Sequence, residues 1–365
     1  MLQYLLLTIS AFLSLLGSKP AQSNLPVSAM PMDSLRYPQE KHLANLTQLT
    51  YGGDNAEAYW SFDSRKLTFQ ATRAAWNASC DQIFMIDITQ PLDTFRAPQL
   101  ISTGKGRTTC SYFMPGDKSI LYASTHERDI ACPPPPERTV DGKYVWPIFP
   151  SFDIYVADLK GKIIKKLTSS PGYDAEATVS PKGDKIVFTS MRSGDLELYT
   201  MNIDGSHIKQ ITNTLGYDGG AFFSPDGTKL VFRASRPTTT EEVDLYKSLL
   251  AKNLVQPVAM ELFICNVDGS DMRQLTHLGK ANWAPYFTPK GDKIIFSSNY
   301  AAPKGYQFNL YLIGLDGTGL EQVTYDPVFD SFPMFSPDGK KIAFSSNRNN
   351  GGTHSTNLFI ADWKE

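Results

Sequence analysis

Six residues occupy one repeated position, immediately before a variable loop: Arg73, His126, Arg192, Arg236, Tyr300 and Arg348. A guanidinium is a planar, permanently charged fork that matches carboxylate or phosphate. Four of them at equivalent positions would ring a surface for an anionic or carboxylate-bearing ligand, with Trp76 and Trp283 nearby. The competing expectation is structural. Each arginine would pair with an acid at the start of a nearby strand, such as Asp81, Asp195, Glu57 or Glu176, and stitch adjacent repeats together.

Other chemistry is sparse. No Gly-x-Ser-x-Gly elbow, Walker-type phosphate loop or EF-hand loop occurs. His126, His277 and His354 could in principle hold a divalent metal, but His277 follows a strand far from any common axis. No catalytic residue, metal ligand or cofactor is therefore assigned. A net charge of −2 over 365 residues argues against a nucleic-acid partner.

The elements that must position these residues repeat. Ala221-Phe222-Phe223-Ser224-Pro225-Asp226-Gly227-Thr228-Lys229-Leu230-Val231-Phe232 reads as strand, tight turn, strand. The phrase returns around Pro181-Lys182-Gly183, Pro289-Lys290-Gly291 and Pro337-Asp338-Gly339. Looser copies surround Pro115-Gly116 and Ser61 to Ser64. A second phrase, Asp204-Gly205, Asp268-Gly269 or Asp316-Gly317 followed by Gln-x-Thr, supplies another hairpin. Four strands per repeat in six repeats predict an all-β, six-bladed β-propeller.

The ends complement each other. The sixth repeat stops after its third strand at Trp363, while His42 to Thr50 is an orphan strand ending Gln48-Leu49-Thr50. Joined, they close the ring and remove an open edge. We expect a propeller over residues 42–365, an extended arm over 24–41 and a signal peptide over 1–23, where an apolar run precedes Ala21-Gln22-Ser23. Once the signal is cleaved, no segment spans a membrane, and a periplasmic or secreted monomer is expected. Both long inserts, His126 to Pro150 and Ser235 to Met260, fall between second and third strands. The second should carry a short helix capped by Thr239 and Glu242, docked on a neighbouring blade. Trp146 in the first insert is expected to pack on its own blade. Export permits a disulfide. Cys80, Cys110 and Cys132 share one rim, so two of the three can pair, and Cys265 should be a buried thiol.

The repeats resemble the propeller of TolB, the periplasmic protein of an envelope complex. The likeness is carried by Ser224-Pro225-Asp226-Gly227, Phe344-Ser345-Ser346-Asn347-Arg348, Asn266-Val267-Asp268-Gly269-Ser270 and Arg273-Gln274-Leu275-Thr276. Similar repeats occur in peptidase gating domains and in lyases of pectin fragments. The resemblance implies a TolB-type propeller without the α/β domain that precedes it in TolB. The function expected is a non-enzymatic propeller that binds a protein or peptide, or an acidic glycan, over the insert-bearing end of its channel. The alternative is a metal-dependent polysaccharide lyase using rim histidines.

Overall fold

The computed structural model describes residues 34–92, 96–134, 139–140, 143–303 and 305–365. The proposed signal peptide and residues 24–33 of the arm lie outside the described residues. Alternating apolar strands joined by tight turns form six four-stranded antiparallel sheets. Blade 1 comprises Asp54–Trp60, Lys66–Arg73, Ala78–Asp87 and Gln99–Leu100. Blade 2 comprises Thr108–Phe113, Ser119–Ser124, Asp153–Asp158 and Ile163–Lys166. Blades 3, 4 and 5 begin at Asp174–Val179, Asp218–Phe223 and Asn282–Phe287. Blade 6 holds Asp330–Phe335, Lys341–Ser346 and Asn357–Trp363, and its fourth strand is Leu43–Gln48.

That closing pair is antiparallel, with Leu43 opposite Trp363 and Gln48 opposite Phe359. The Gln-x-Thr phrase explains why it belongs there. In each blade a hydroxyl on the outermost segment accepts a hydrogen bond from a backbone N–H of the third strand. Ser102, Thr168, Thr212, Thr276 and Thr324 do so in blades 1 to 5 at 2.8–2.9 Å. Thr50 does it for Leu358 in blade 6, at 2.9 Å. The Trp60 indole then ties blade 1 to blade 6 by donating to Met334 O at 3.0 Å.

Turn chemistry repeats as well. The Ser61, Ser224 and Ser336 hydroxyls accept from the N–H of Lys66, Lys229 and Lys341 at 2.8–2.9 Å, and Thr288 does the same for Lys293 at 3.1 Å. The turn glycines sit at positive φ, and a Cβ on Gly183 would strike Pro115 of the preceding turn at 2.7 Å. The turns interlock at that approach, which is why glycine is needed there.

The end of the arm is part of the ring. Glu40 is fully buried and pairs with Arg348 at 2.9 Å. Among the described residues no helix is long and apolar enough to cross a membrane. A chain beginning at residue 51 should lose both the closing strand and Glu40. Its exposed Asn357–Trp363 edge should drive aggregation, read by size-exclusion chromatography and melting. A monomer with an unchanged melting temperature would disprove the closure.

Candidate functional site

The six loop-leading residues lie against their own blades. Each is seated over the aromatic residues of its own blade. Arg192 covers Phe188 and Tyr199, Arg236 covers Phe263, and Arg348 covers Phe344 and Phe359, all at 4.8–5.9 Å. His126 lies 4.5 Å from the Tyr155 ring and Tyr300 5.3 Å from Tyr311. Arg73 stacks on Trp76 at 4.5 Å. The arginines are also paired, though not with the acids expected. Arg192, Arg236 and Arg348 meet Asp174 (3.0 Å), Asp218 (2.6 Å) and Asp330 (2.8 Å). Each aspartate opens the first strand of the same blade, so the pairs close blades internally. Blade 1 has Asn55 at that place, and there the arginine stacks on Trp76 instead. Of the acids expected to stitch neighbours, Asp81 does so through Arg107, and Glu176 through Arg233 of blade 4.

The axial site is built by a different device. Each inner strand contains a bulge, and one bulge residue is left-handed: Glu57, Cys110, Glu176, Gly220, Ala284 and Phe332, with φ between 45° and 59°. A bulge re-aims a side chain out of the pleat. All six line a small chamber of about 30 Å³, together with Arg233. Arg233 holds Glu176 at 2.5 Å and bonds the Tyr217 hydroxyl at 2.7 Å. Tyr217 Oη, Thr189 Oγ1 and Gly220 N–H also donate to Glu176 at 2.6–2.9 Å. The Cys110 thiol donates to Glu57 at 3.0 Å. Burial pushes the Glu57 carboxyl up and raises Cys110 well above the usual thiol range. Cys110 is therefore a protonated donor here, not a nucleophile.

Below the chamber the channel narrows at rings. Tyr59 and Phe222 face each other at 6.1 Å, and Tyr286 meets Phe222 edge-on at 5.1 Å. Tyr112 completes the girdle 5.6 Å from Tyr59. Beyond it lies an open recess of about 150 Å³ at the mouth carrying the Ser-Pro-Asp-Gly turns. Its walls include Phe62, Tyr112, Tyr286, Pro181, Pro225, Pro289 and Pro337.

The insert-bearing end is covered. The two inserts pair with each other, Trp146 opposite Val255 and Pro147 opposite Leu254. Trp146 packs on Trp283 of blade 5 at 4.9 Å and over Arg233 of blade 4 at 5.6 Å, not on its own blade. The helix Thr240–Leu250 has the expected capping box and docks on blade 3, where the Tyr246 hydroxyl bonds Asp195. A Cys80–Cys132 disulfide ties the first insert to blade 1, leaving Cys110 and Cys265 as buried free thiols. Among the described residues no group of three or more His, Cys, Asp or Glu side chains could hold a metal.

Sequence reasoning missed Arg233 and the rings of Tyr59, Tyr112, Phe222 and Tyr286. It placed Glu57 and Glu176 in the wrong pairs. A usable signal existed: blades 3, 4 and 6 carry both the opening aspartate and the loop arginine, so the arginines already had partners.

Residues 150–245 match the family model of the TolB beta propeller domain. No curated protein matches the chain. A solved structure assigned to TolB from Agrobacterium tumefaciens is 19% identical, with a TM-score of 0.56, covering 86% of this chain and 91% of its own. TolB from Acinetobacter baumannii is 18% identical, with a TM-score of 0.54, covering 84% of this chain; the chain spans 65% of that protein. A gluconolactonase from Xanthomonas campestris is 13% identical, with a TM-score of 0.53, covering 88% of this chain and 91% of its own. At these identities the likeness is one of fold. The chain carries a six-bladed β-propeller of TolB type.

Two outcomes follow from the clamps. Replacing Arg348 with Met strands Glu40 and Asp330 together in the core, and should cost about 3–5 kcal/mol, read by urea unfolding. The two carboxyls would then fold only with added protons, so the loss should be larger at pH 8 than at pH 5. Beside the Arg236 clamp, Glu197 is 2% exposed, and burial next to Asp218 pushes its carboxyl up to about 8. A raised folded value means stability present below about pH 4.5 and lost as pH rises toward 8. Glu197→Gln should flatten that slope and melt higher than the parent at pH 8; an unchanged slope would refute the assignment.

Proposed function

We propose that this chain is a non-enzymatic exported propeller that binds a protein or peptide partner, as a scaffold in an envelope-type complex. The observation that carries the reading is the asymmetry of the channel. One end lies under two mutually paired inserts, whereas the other opens into a recess of about 150 Å³ walled by aromatic rings and prolines. A concave, largely apolar recess suits a ligand tip. Rings and prolines favour an extended segment, which has little ordering entropy left to lose. The binding surface is therefore the Ser-Pro-Asp-Gly mouth rather than the insert-bearing face.

The Cys80–Cys132 disulfide supports residence in an oxidising compartment, periplasmic or extracellular. An acidic glycan is not favoured, because three of the four loop arginines are already matched by aspartates. Nor does an observation favour the lyase. His126 is held by Ser124 at 2.9 Å and His277 by Gln274 at 3.0 Å, on separate blades.

Peptides selected against the full chain from a random display library provide the test. Phe62→Glu should weaken them about tenfold, or roughly 1.4 kcal/mol, with little change in melting. Trp146→Ala, at the covered end, should leave affinity unchanged. The reverse pattern would move the ligand to the insert-bearing face.

A further inference from the structure

Of the four loop arginines, Arg73 alone meets no carboxylate among the described residues; it rests on the Trp76 ring, 4.5 Å away. The cause lies in blade 1. Where blades 3, 4 and 6 open with an aspartate, this blade has Asn55, fully buried, whose amide nitrogen donates to Gly52 O at 3.1 Å and to Thr356 O at 2.8 Å. An amide carries no charge, so the guanidinium keeps its own unmatched. Burial lowers the Arg73 pKa, and no acid acts in the opposite direction. Beside its Nη2 the chain turns through Gly52, at φ 94°, where a Cβ would stand 3.9 Å from the nitrogen. The missing side chain leaves that edge of the fork uncovered.

Arg73 and Trp76 open onto a cleft of about 320 Å³ between blade 1 and the residues that follow the closing strand. That volume is in the range of small-ligand sites. Tyr51 and Leu92 form part of its wall and are 42% and 38% exposed. The cleft thus joins apolar surface for a ligand body to a charged fork for an acid. The one acid in the wall, Asp87, is turned elsewhere: it accepts from the Thr89 N–H at 2.9 Å and from Thr89 Oγ1 at 2.6 Å. We propose that this cleft binds a carboxylate carried on an apolar body, with Arg73 as the counter-ion and Tyr51 and Leu92 against the body. A free arylalkanoic acid and a peptide C-terminus with an apolar last residue share that chemistry. A phosphate fits less well, because it brings a second negative charge toward Asp87 and leaves the apolar wall unused. The cleft and the Ser-Pro-Asp-Gly recess have no lining residue in common, so neither assignment depends on the other.

The test titrates the full chain, by ligand-observed NMR, with hydrocinnamate and its amide, and with the peptide Gly-Gly-Phe ending in a free carboxylate or an amide. At least one acid should bind about tenfold more tightly than its amide. Arg73→Gln should erase that difference with the melting temperature unchanged, since no ion pair is lost. Leu92→Glu, which sets another carboxylate in the cleft, should weaken the acids by a similar factor, and it decides the matter if Arg73→Gln does not fold. A preference confined to hydrocinnamate names a free acid as the source, and one shown by the peptide names a chain terminus; either supports the site. Equal binding of acid and amide, or binding by none of the four, overturns it. So does acid binding that survives Arg73→Gln, or saturable binding of inorganic phosphate without binding of the acids.

Discussion

A ring of blades must close, and closure here depends on one antiparallel pair, Leu43–Gln48 against Asn357–Trp363. Without it blade 6 would end in an open row of backbone donors and acceptors, and blade 1 would face an incomplete neighbour. The pair is secured from several sides. Thr50 caps Leu358, Trp60 reaches Met334, and Glu40 enters the core beside Arg348. Residues distant in the chain thus supply one interface, and the arm before the first strand is structural at its end.

Inside the ring, six inner strands break their ladder at one level. Holding a non-glycine residue in the left-handed region costs on the order of 1 kcal/mol. Five of the six positions accept that cost: Glu57, Cys110, Glu176, Ala284 and Phe332. The return is a chamber whose lining is set by bulge residues rather than by the pleat. Polar groups gather on blades 1 to 4, and apolar ones fill the other side, so the axis is chemically lopsided although the scaffold is nearly sixfold.

Charge on the insert-bearing face is largely consumed internally. Buried or half-buried guanidinium groups need partners, and Asp174, Asp218 and Asp330 provide them within single blades. The inserts then lie over that face, joined by a short strand pair and tethered by the Cys80–Cys132 bond. What remains open is the opposite mouth, where aromatic and proline side chains meet solvent. Elaborate loops thus mark the sealed end of this propeller, and the plain turns mark its accessible end.

Local sequence determined the blades. Proline and glycine at fixed places in the Ser-Pro-Asp-Gly turns, the Asp-Gly hairpins, alternating apolar strands and the Thr239–Glu242 cap are short-range signals, each set by a few neighbouring residues. The orphan strand at His42 to Thr50 could be placed because the missing fourth strand was countable. Tertiary structure decided the site. Nothing in the propensity of glutamate, cysteine or phenylalanine announces a positive φ, so the bulges at Glu57, Cys110 and Phe332 were invisible, and with them the chamber. The choice of Cys80 with Cys132 over Cys110, and the pairing of Trp146 with Val255, depend on how separate blades and inserts approach in space. The loop arginines were found at the right positions, and the acids that pair with three of them were not. A residue's place in a repeat fixes which rim it occupies, whereas its direction is set by the ring and carboxylate it packs against, and those arrive only when the blade has folded.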